Sequence, residues 1–353
     1  MIEHAYTFDD VNLTPTYSEV DSRSHVNLES ELVSGLKFKI PIISANMNTV
    51  TEARMIKAML ENGGTGALHR YFTEETFERE INKLHDCSGY GITVGTDLNI
   101  VEAFLSIAKN PSYVIIDIAH GHSKHMKDTI KFIKTCYPDL PIIAGNICTS
   151  MAAWDLAEWG ASVLKVGISA GGICSTRKIA GVGFPQWSAV KNVAETVRTI
   201  NKNEGLNIKV ISDGGHRLPG DCAKALGAGA DFVMLGSMLA GTTETPGNVL
   251  TTGFELQKKV KLYQGSASHN AQIVQFGKEK KDVYAEGAAT FVPYKGDVGD
   301  VLFDIVKGIQ SALSYCGCWN LEEFHEYCQM DAAWNFGTFA NFNEGRPHIV
   351  KEN

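Results

Sequence analysis

The sequence predicts an α/β fold, a (β/α)8 TIM barrel, from three observations. Eight short apolar runs recur, at residues 40–45, 64–68, 91–95, 113–118, 141–145, 163–167, 208–212 and 232–235. Most are spaced by roughly 22 to 28 residues, the length of one strand plus one helix with its loops. The runs are continuously apolar rather than alternating, as parallel strands covered on both faces require. Helical patterns fill the gaps, at residues 52–61, 74–85, 100–108, 124–136, 151–159, 187–201 and 219–226. Eight such units close a barrel. An open doubly wound sheet is the alternative, but no G-x-G-x-x-G follows the first strand.

Two connections break the rhythm. The gap after the sixth strand carries a glycine-rich stretch, and the segment of residues 238–296 after the eighth strand is too long for a simple link. A long excursion on a compact barrel is usually functional, so this segment is expected to be a flap. A last helix follows at residues 298–315. One barrel domain is therefore expected over residues 1–330, with no regulatory domain inserted. The tail of residues 331–353 has little periodicity and is expected to be an arm, packed on a neighbour or disordered.

Composition narrows the function classes. The chain has 353 residues, is 44% hydrophobic and 20% charged, and carries a net charge of −8. An acidic balance without a basic cluster argues against nucleic-acid binding. Lys278-Glu279-Lys280-Lys281, the densest basic stretch, reads as a solvated loop. There is no apolar run long enough to span a membrane, and Met1-Ile2-Glu3-His4 does not begin a signal peptide. The eight cysteines lack zinc-site spacing. A reduced, cytoplasmic protein is expected.

The stretch Gly167-Ile168-Ser169-Ala170-Gly171-Gly172-Ile173-Cys174-Ser175-Thr176-Arg177 follows the sixth strand. Glycines allow a tight fold and close approach to a ligand, and a cation lowers a thiol's pKa. Cys174 is thus a candidate nucleophile, against the reading of a small buried hydrophobe. The other strand ends carry Asn46-Met47-Asn48, His69-Arg70, Gly95-Thr96, Asp117, Asn146, Asp213-Gly214-Gly215-His216-Arg217 and Gly236-Ser237. In a barrel these ends line the active site; singly, each could be a cap or turn residue. Glycine turns after strands seven and eight suit a phosphate, and Asp213 suits ribose hydroxyls. Phosphate, ribose and thiol together point to chemistry on a nucleotide base.

These residues resemble the IMP dehydrogenase/GMP reductase family. The resemblance rests on Gly-x-x-x-Gly-x-x-Cys-x-Thr-Arg at 167–177, on 180–186, on Ser212-Asp213-Gly214-Gly215 with Gly220-Asp221, on 228–236, and on Val292-Pro293-Tyr294-Lys295-Gly296. It runs from about Thr7 to Gly317. Within the family the chain is more similar to the reductases. Arg70 to Gly91 leaves room only for a helix where dehydrogenases carry a paired regulatory domain. Asp117-Ile118-Ala119-His120-Gly121 is similar to the reductase string, Thr176-Arg177 follows the reductase pattern, and the flap lacks the dehydrogenase Arg-Tyr pair.

The resemblance implies NADPH-dependent reductive deamination of GMP to IMP and ammonia through a covalent cysteine thioimidate. Cys174, Thr176 and Glu286 would be catalytic. Asp213, Gly214, Gly215, Gly236, Ser237, Gly265, Ser266, Ala267 and Gly287 would bind the nucleotide. Arg70, Asp117, Ile118, Ala119, Ile168, Ser169, Ser311 and Ser314 would face NADPH, the two serines from a neighbouring subunit of a homotetramer. A potassium ion would sit on backbone carbonyls of Ser169, Gly171, Cys174 and Arg177. That loop departs from the family pattern, with Ser169, Ala170 and Gly172 in place of Gly, Pro and Ser, and a serine where glycine is usual resists the φ the cation loop requires, which counts against the potassium site. Asn48 also replaces a usual aspartate. Two alternatives stay open: an IMP dehydrogenase without its regulatory domain, and a catalytically inactive purine-nucleotide-binding protein.

Overall fold

The computed structural model describes residues 4–108, 111–173, 176–253, 257–265 and 288–337. Eight parallel strands close a barrel: Ile42–Ser44, Thr65–Leu68, Gly91–Val94, Tyr113–Asp117, Ile142–Ile147, Val163–Val166, Lys209–Asp213 and Phe232–Leu235. The eighth strand pairs with the first, Val233 opposite Ile42 and Leu235 opposite Ser44. Every expected run is a strand. The fifth extends beyond its expected end because the ladder shifts register between Gly145 and Ile147 and then resumes.

Helices alternate with the strands, and their starts follow local chemistry. Thr73, Ser123 and Thr149 cap the helices Glu74–Lys83, Lys124–Cys136 and Ser150–Trp159, each hydroxyl accepting a backbone N–H of the first turn. Between the second and third strands the only helix is Glu74–Lys83.

Strand parity divides the core in two. Ile42, Val114, Ile116, Leu164 and Val166 face the helices. Their neighbours Ile43, Tyr113, Ile115, Ile143, Val163, Ile211, Phe232 and Met234 pack inside the barrel. Burying each large side chain contributes roughly 1.5–3 kcal/mol. A hairpin that no sequence pattern announces, Ser30–Val33 paired with Leu36–Phe38, supplies Leu32, Val33 and Phe38 to that inner cluster. Phe38 meets Phe232 edge-on at 6.1 Å. The hairpin plugs the end of the barrel at which the strands begin.

The excursion after the eighth strand contains its own antiparallel sheet of Leu250–Thr252, Lys258–Gln264 and Ala289–Pro293. The sheet is fastened to the barrel: Gln264 N–H donates to Thr49 Oγ at 3.2 Å, and buried Lys261 donates to the Thr245 carbonyl. The start of the tail differs from the expected arm. Trp334–Phe336 pairs with Val11–Leu13 of the same chain, and Trp334 is buried. Its indole meets Trp187 edge-on at 5.0 Å and donates to the Cys328 carbonyl. Burying an indole needs both apolar contact and a partner for its N–H, and this pairing supplies both. Among the described residues no helix is long and apolar enough to cross a membrane.

Candidate active site

The inward-facing parity continues to the ends of the strands at which the loops begin, but the residue type changes. Asp117, Lys165 and Asp213 occupy the positions two residues beyond Ile115, Val163 and Ile211. Lys165 is 1% exposed. Its Nζ donates to Asp117 Oδ1 at 2.8 Å, to Asp213 Oδ2 at 2.7 Å and to Asn146 Oδ1. Asn146 Nδ2 in turn donates to Asp213 Oδ2 at 2.9 Å and to the Gly167 carbonyl at 2.7 Å. The ammonium side chain is 2% exposed while the two carboxylate side chains are about a fifth exposed. The cation is therefore sealed beneath two anions that face the mouth. Burial alone would push the ammonium down, but the carboxylates beside it hold it above its usual range. Burial pushes Asp117 up, and Lys165, with Arg70 further off, more than reverses this.

Gly145 lets the fifth and sixth strands approach closely, since a Cβ there would lie 2.6 Å from both Lys165 Cβ and the Lys165 carbonyl oxygen. From sequence, 163–167 reads as an apolar strand, which hides Lys165. A single charge within Val163-Leu164-Lys165-Val166, on the inward parity of Val163, is the available signal.

The glycine-rich loop packs directly on the turn after the seventh strand. A Cβ on Gly167 would come within 2.0 Å of the Asp213 carbonyl oxygen, so only glycine permits this approach. Gly214, at φ +97°, lies against Ala170 and Gly171. Ser169 adopts φ +61°, the left-handed conformation a glycine would take, and its Oγ accepts the Arg177 N–H at 2.7 Å. That bond offsets part of the cost of about 1–3 kcal/mol for a non-glycine residue there. Thr176 begins the short helix Thr176–Ile179, and Arg177 is exposed.

Gly215 follows at φ +86°, and the Ser237 hydroxyl donates to the His216 carbonyl at 3.4 Å, joining the two glycine turns. Gly236 lies under the Tyr263 hydroxyl, at 2.9 Å from a Cβ position. His216 is buried and stacks on Phe8, and burial pushes its imidazole down to about 4. The flap base reaches the same place. Gly265 N–H donates to the Ala288 carbonyl, and Ala288 N–H donates to the Ile173 carbonyl at 2.9 Å. Cys174, Ser266, Ala267, Glu286 and Gly287 lie outside the described residues.

Around the first and second strand ends, polar atoms stand ready for a ligand. Among the described residues Arg70 Nε, Asn48 Oδ1 and His69 Nε2 are buried without a hydrogen-bond partner, with the Glu52 carboxylate 3.6 Å from His69 Nε2, whereas buried polar groups nearly always have one. His69 Nδ1 accepts the Tyr71 N–H, which leaves its proton on Nε2. A cleft of about 560 Å³ beside them is lined by Asn48, Glu52, His69 and Tyr71 among others. Arg70 also lies over the Tyr71 ring at 4.7 Å. Of these groups Arg70 is the one whose charge acts on the Asp117 carboxylate. Ile118 and Ala119 follow Asp117, and Ile168 is buried beneath the glycine-rich loop. Ser311 and Ser314 are not brought to this cluster. Ser311 Oγ accepts from Arg23 Nη1, and Ser314 Oγ donates to the Ser311 carbonyl on the helix Val298–Tyr315.

Residues 5–348 match the family model of the IMP dehydrogenase / GMP reductase domain. The chain is 37% identical to GMP reductase 2 of Bos taurus over 321 residues, covering 88% of this chain and 89% of that protein. It is 36% identical to GMP reductase 1 of Homo sapiens, covering 90% and 91%. It is 32% identical to the inosine-5'-monophosphate dehydrogenase of Nitrosopumilus maritimus over 479 aligned residues, covering 98% of each. With the model matching nearly its whole length, the chain belongs to the IMP dehydrogenase/GMP reductase family.

Proposed function

We propose that the chain is an oxidoreductase of purine nucleotides, an NADPH-dependent GMP reductase that converts GMP to IMP and ammonia. The observation that carries this reading is the packing of the glycine-rich loop on the Asp213-Gly214 turn, with no more than 3.2 Å from a Gly214 Cβ to the Ala170 and Gly171 backbones. That contact joins the segment leading to Cys174 with the carboxylate suited to a ribose. The Ala288–Ile173 bond supports it further, because these residues neighbour the proposed acid segment and the proposed thiol in sequence.

In this reading the Cys174 thiolate adds to C2 of the guanine ring. The C2–N bond breaks, and the exocyclic amine leaves as ammonia after protonation by the Thr176–Glu286 pair, a poor leaving group otherwise. Arg70 and Asp117 would hold NADPH, whose chemistry would be to supply a hydride to C2, after which the C–S bond would break to return the thiolate and release IMP. Asp213 would orient the ribose and the turns at Gly214-Gly215 and Gly236-Ser237 would hold the phosphate, while Gly265, Ser266, Ala267 and Gly287 are the further nucleotide-binding residues that the resemblance implies. Arg70, Asp117, Ile118, Ala119, Ile168 and Ser169 face the dinucleotide. Six other cysteines make poor nucleophiles, because burial pushes the thiols of Cys87, Cys148, Cys222, Cys316, Cys318 and Cys328 up, away from the thiolate.

One fact supports reduction: only one helix stands between the second and third strands, where the resemblance places a regulatory domain in dehydrogenases. The same reading places the enzyme in the cytoplasm as a homotetramer, whose neighbouring subunit brings Ser311 and Ser314 to the cofactor. Potassium would be held by the carbonyls of Ser169, Gly171, Cys174 and Arg177; the left-handed φ of Ser169 suits such a loop.

The test follows nicotinamide absorbance with GMP plus NADPH and, separately, IMP plus NAD. The reading expects NADPH consumption with ammonia release in the first mixture and no turnover by Cys174→Ala. NADH formation in the second mixture alone would make the chain a dehydrogenase.

A further inference from the structure

We propose that Lys165 is a positioning residue: one sealed ammonium that holds Asp117 and Asp213 as a pair of anions facing the mouth, and so fixes both nucleotide-binding carboxylates at once. The assignment of those carboxylates to dinucleotide and nucleotide rests on the proposed function; the charge pairing does not.

Four observations carry it. Lys165 is 1% exposed, so no substrate atom needs to touch it. Its nitrogen lies within 2.8 Å of both carboxylates. Residue 145 on the neighbouring strand is a glycine, which lets the two strands approach closely beside Lys165. Asn146 accepts from Lys165 and donates both to Asp213 and to the Gly167 carbonyl, so the lysine is linked to the first residue of the glycine-rich loop. A buried ion pair is weak evidence of stability and stronger evidence of a specified geometry. Here the geometry is that of two carboxylates on strands four and seven, which are not neighbours in the barrel.

Among the described residues the charged and titratable groups facing the pair, besides Lys165, are Arg70 toward Asp117, and His216 and Tyr263 toward Asp213. Lys165 is the cation that both carboxylates share at hydrogen-bond distance. Removing it therefore leaves two close carboxylates without their common counter-charge, and one of them must take up a proton to relieve the repulsion.

The experiment compares the intact chain with Lys165→Met and with the double variant Lys165→Met/Asp117→Asn, by thermal melting across pH and by direct binding of GMP and of NADPH. In the intact chain Asp117 is held low, so its contribution to stability is present above the unfolded carboxylate range and falls away in acid. In Lys165→Met the sign reverses: the melting temperature rises as pH is lowered from about 8 to about 5, because the folded state binds the extra proton. The double variant loses that reversal and recovers much of the melting temperature. Lys165→Met binds GMP and NADPH at least about tenfold more weakly, and the double variant, whose stability has recovered and whose Asp213 is intact, still binds GMP at least about tenfold more weakly, which separates positioning from mere stability. Melting curves of Lys165→Met that follow pH as the intact chain's do, or binding of both nucleotides within about twofold of the intact chain, would overturn the proposal. If the intact chain itself binds neither nucleotide, the proposed function fails, and the melting comparison still decides the role of Lys165. Should the single variant not fold at neutral pH, its recovery at about pH 5, or in the double variant, gives the same answer.

Discussion

The floor and the mouth of this barrel are built from the same inward-facing positions of the same strands, two residues apart. At the floor, Ile115, Val163 and Ile211 pack with Tyr113, Phe232 and the hairpin residues Leu32 and Phe38. At the mouth, Asp117, Lys165 and Asp213 replace them with charge. The backbone does not distinguish the two layers; the side chains do. The floor excludes water and supplies burial energy, whereas the mouth spends part of it to hold charges in fixed places. The difference teaches that function here is layered onto a packing scaffold, so changes in the two layers have separable effects.

The largest effect that sharpens this contrast is expected at the floor. Ile115→Ala removes a fully buried side chain and costs about 2–5 kcal/mol of stability. Denaturant melts would register this, while KM for either nucleotide stays unchanged in protein that remains folded.

Next comes a pH effect that belongs to the mouth. His216 is neutral in the fold, pushed down to about 4 by burial. The unfolded imidazole takes a proton near pH 6.5, which the folded one refuses until about pH 4. The folded state therefore keeps its full stability above about pH 6.5 and loses on the order of 3 kcal/mol as pH falls to about 4. His216→Gln removes that part of the pH dependence, and melting temperatures across this window would reveal the change.

A smaller effect returns to the floor. The Tyr113 hydroxyl donates to the Gly66 carbonyl at 3.1 Å and lies 2.9 Å from Thr65 Oγ, in a site with no exposure. Tyr113→Phe is expected to cost about 1–2 kcal/mol in urea unfolding, with unchanged kinetics. A rise in KM from either floor substitution would break the separation of layers.

Much of this architecture is legible in the sequence, because parallel strands buried on both faces leave uninterrupted apolar runs. The helix Lys124–Cys136 can be delimited to the residue, since Ser123 caps it and its apolar spacing is regular. Three features are not legible, each because its signal lies outside local pattern. The hairpin Ser30–Val33 with Leu36–Phe38 has short strands, and its burial is set by the barrel end it covers. Trp334 closes onto Val11–Leu13 across more than three hundred residues, a pairing no local periodicity encodes. Lys165 hides within an apolar strand, where its inward parity has to be worked out against Val163. The gathering of Asp117, Asn146 and Asp213 around one nitrogen can be read from the strand ends only as a shared rim.

If the loop packed on the Asp213-Gly214 turn presents a nucleophilic sulfur to a purine carbon, the adduct can be trapped. Mass analysis of peptides from the protein mixed with GMP and quenched in acid tests this most directly. A Cys174 peptide heavier by GMP less ammonia, absent from Cys174→Ala, is the predicted result. Saturating GMP binding with an unmodified Cys174 would contradict it.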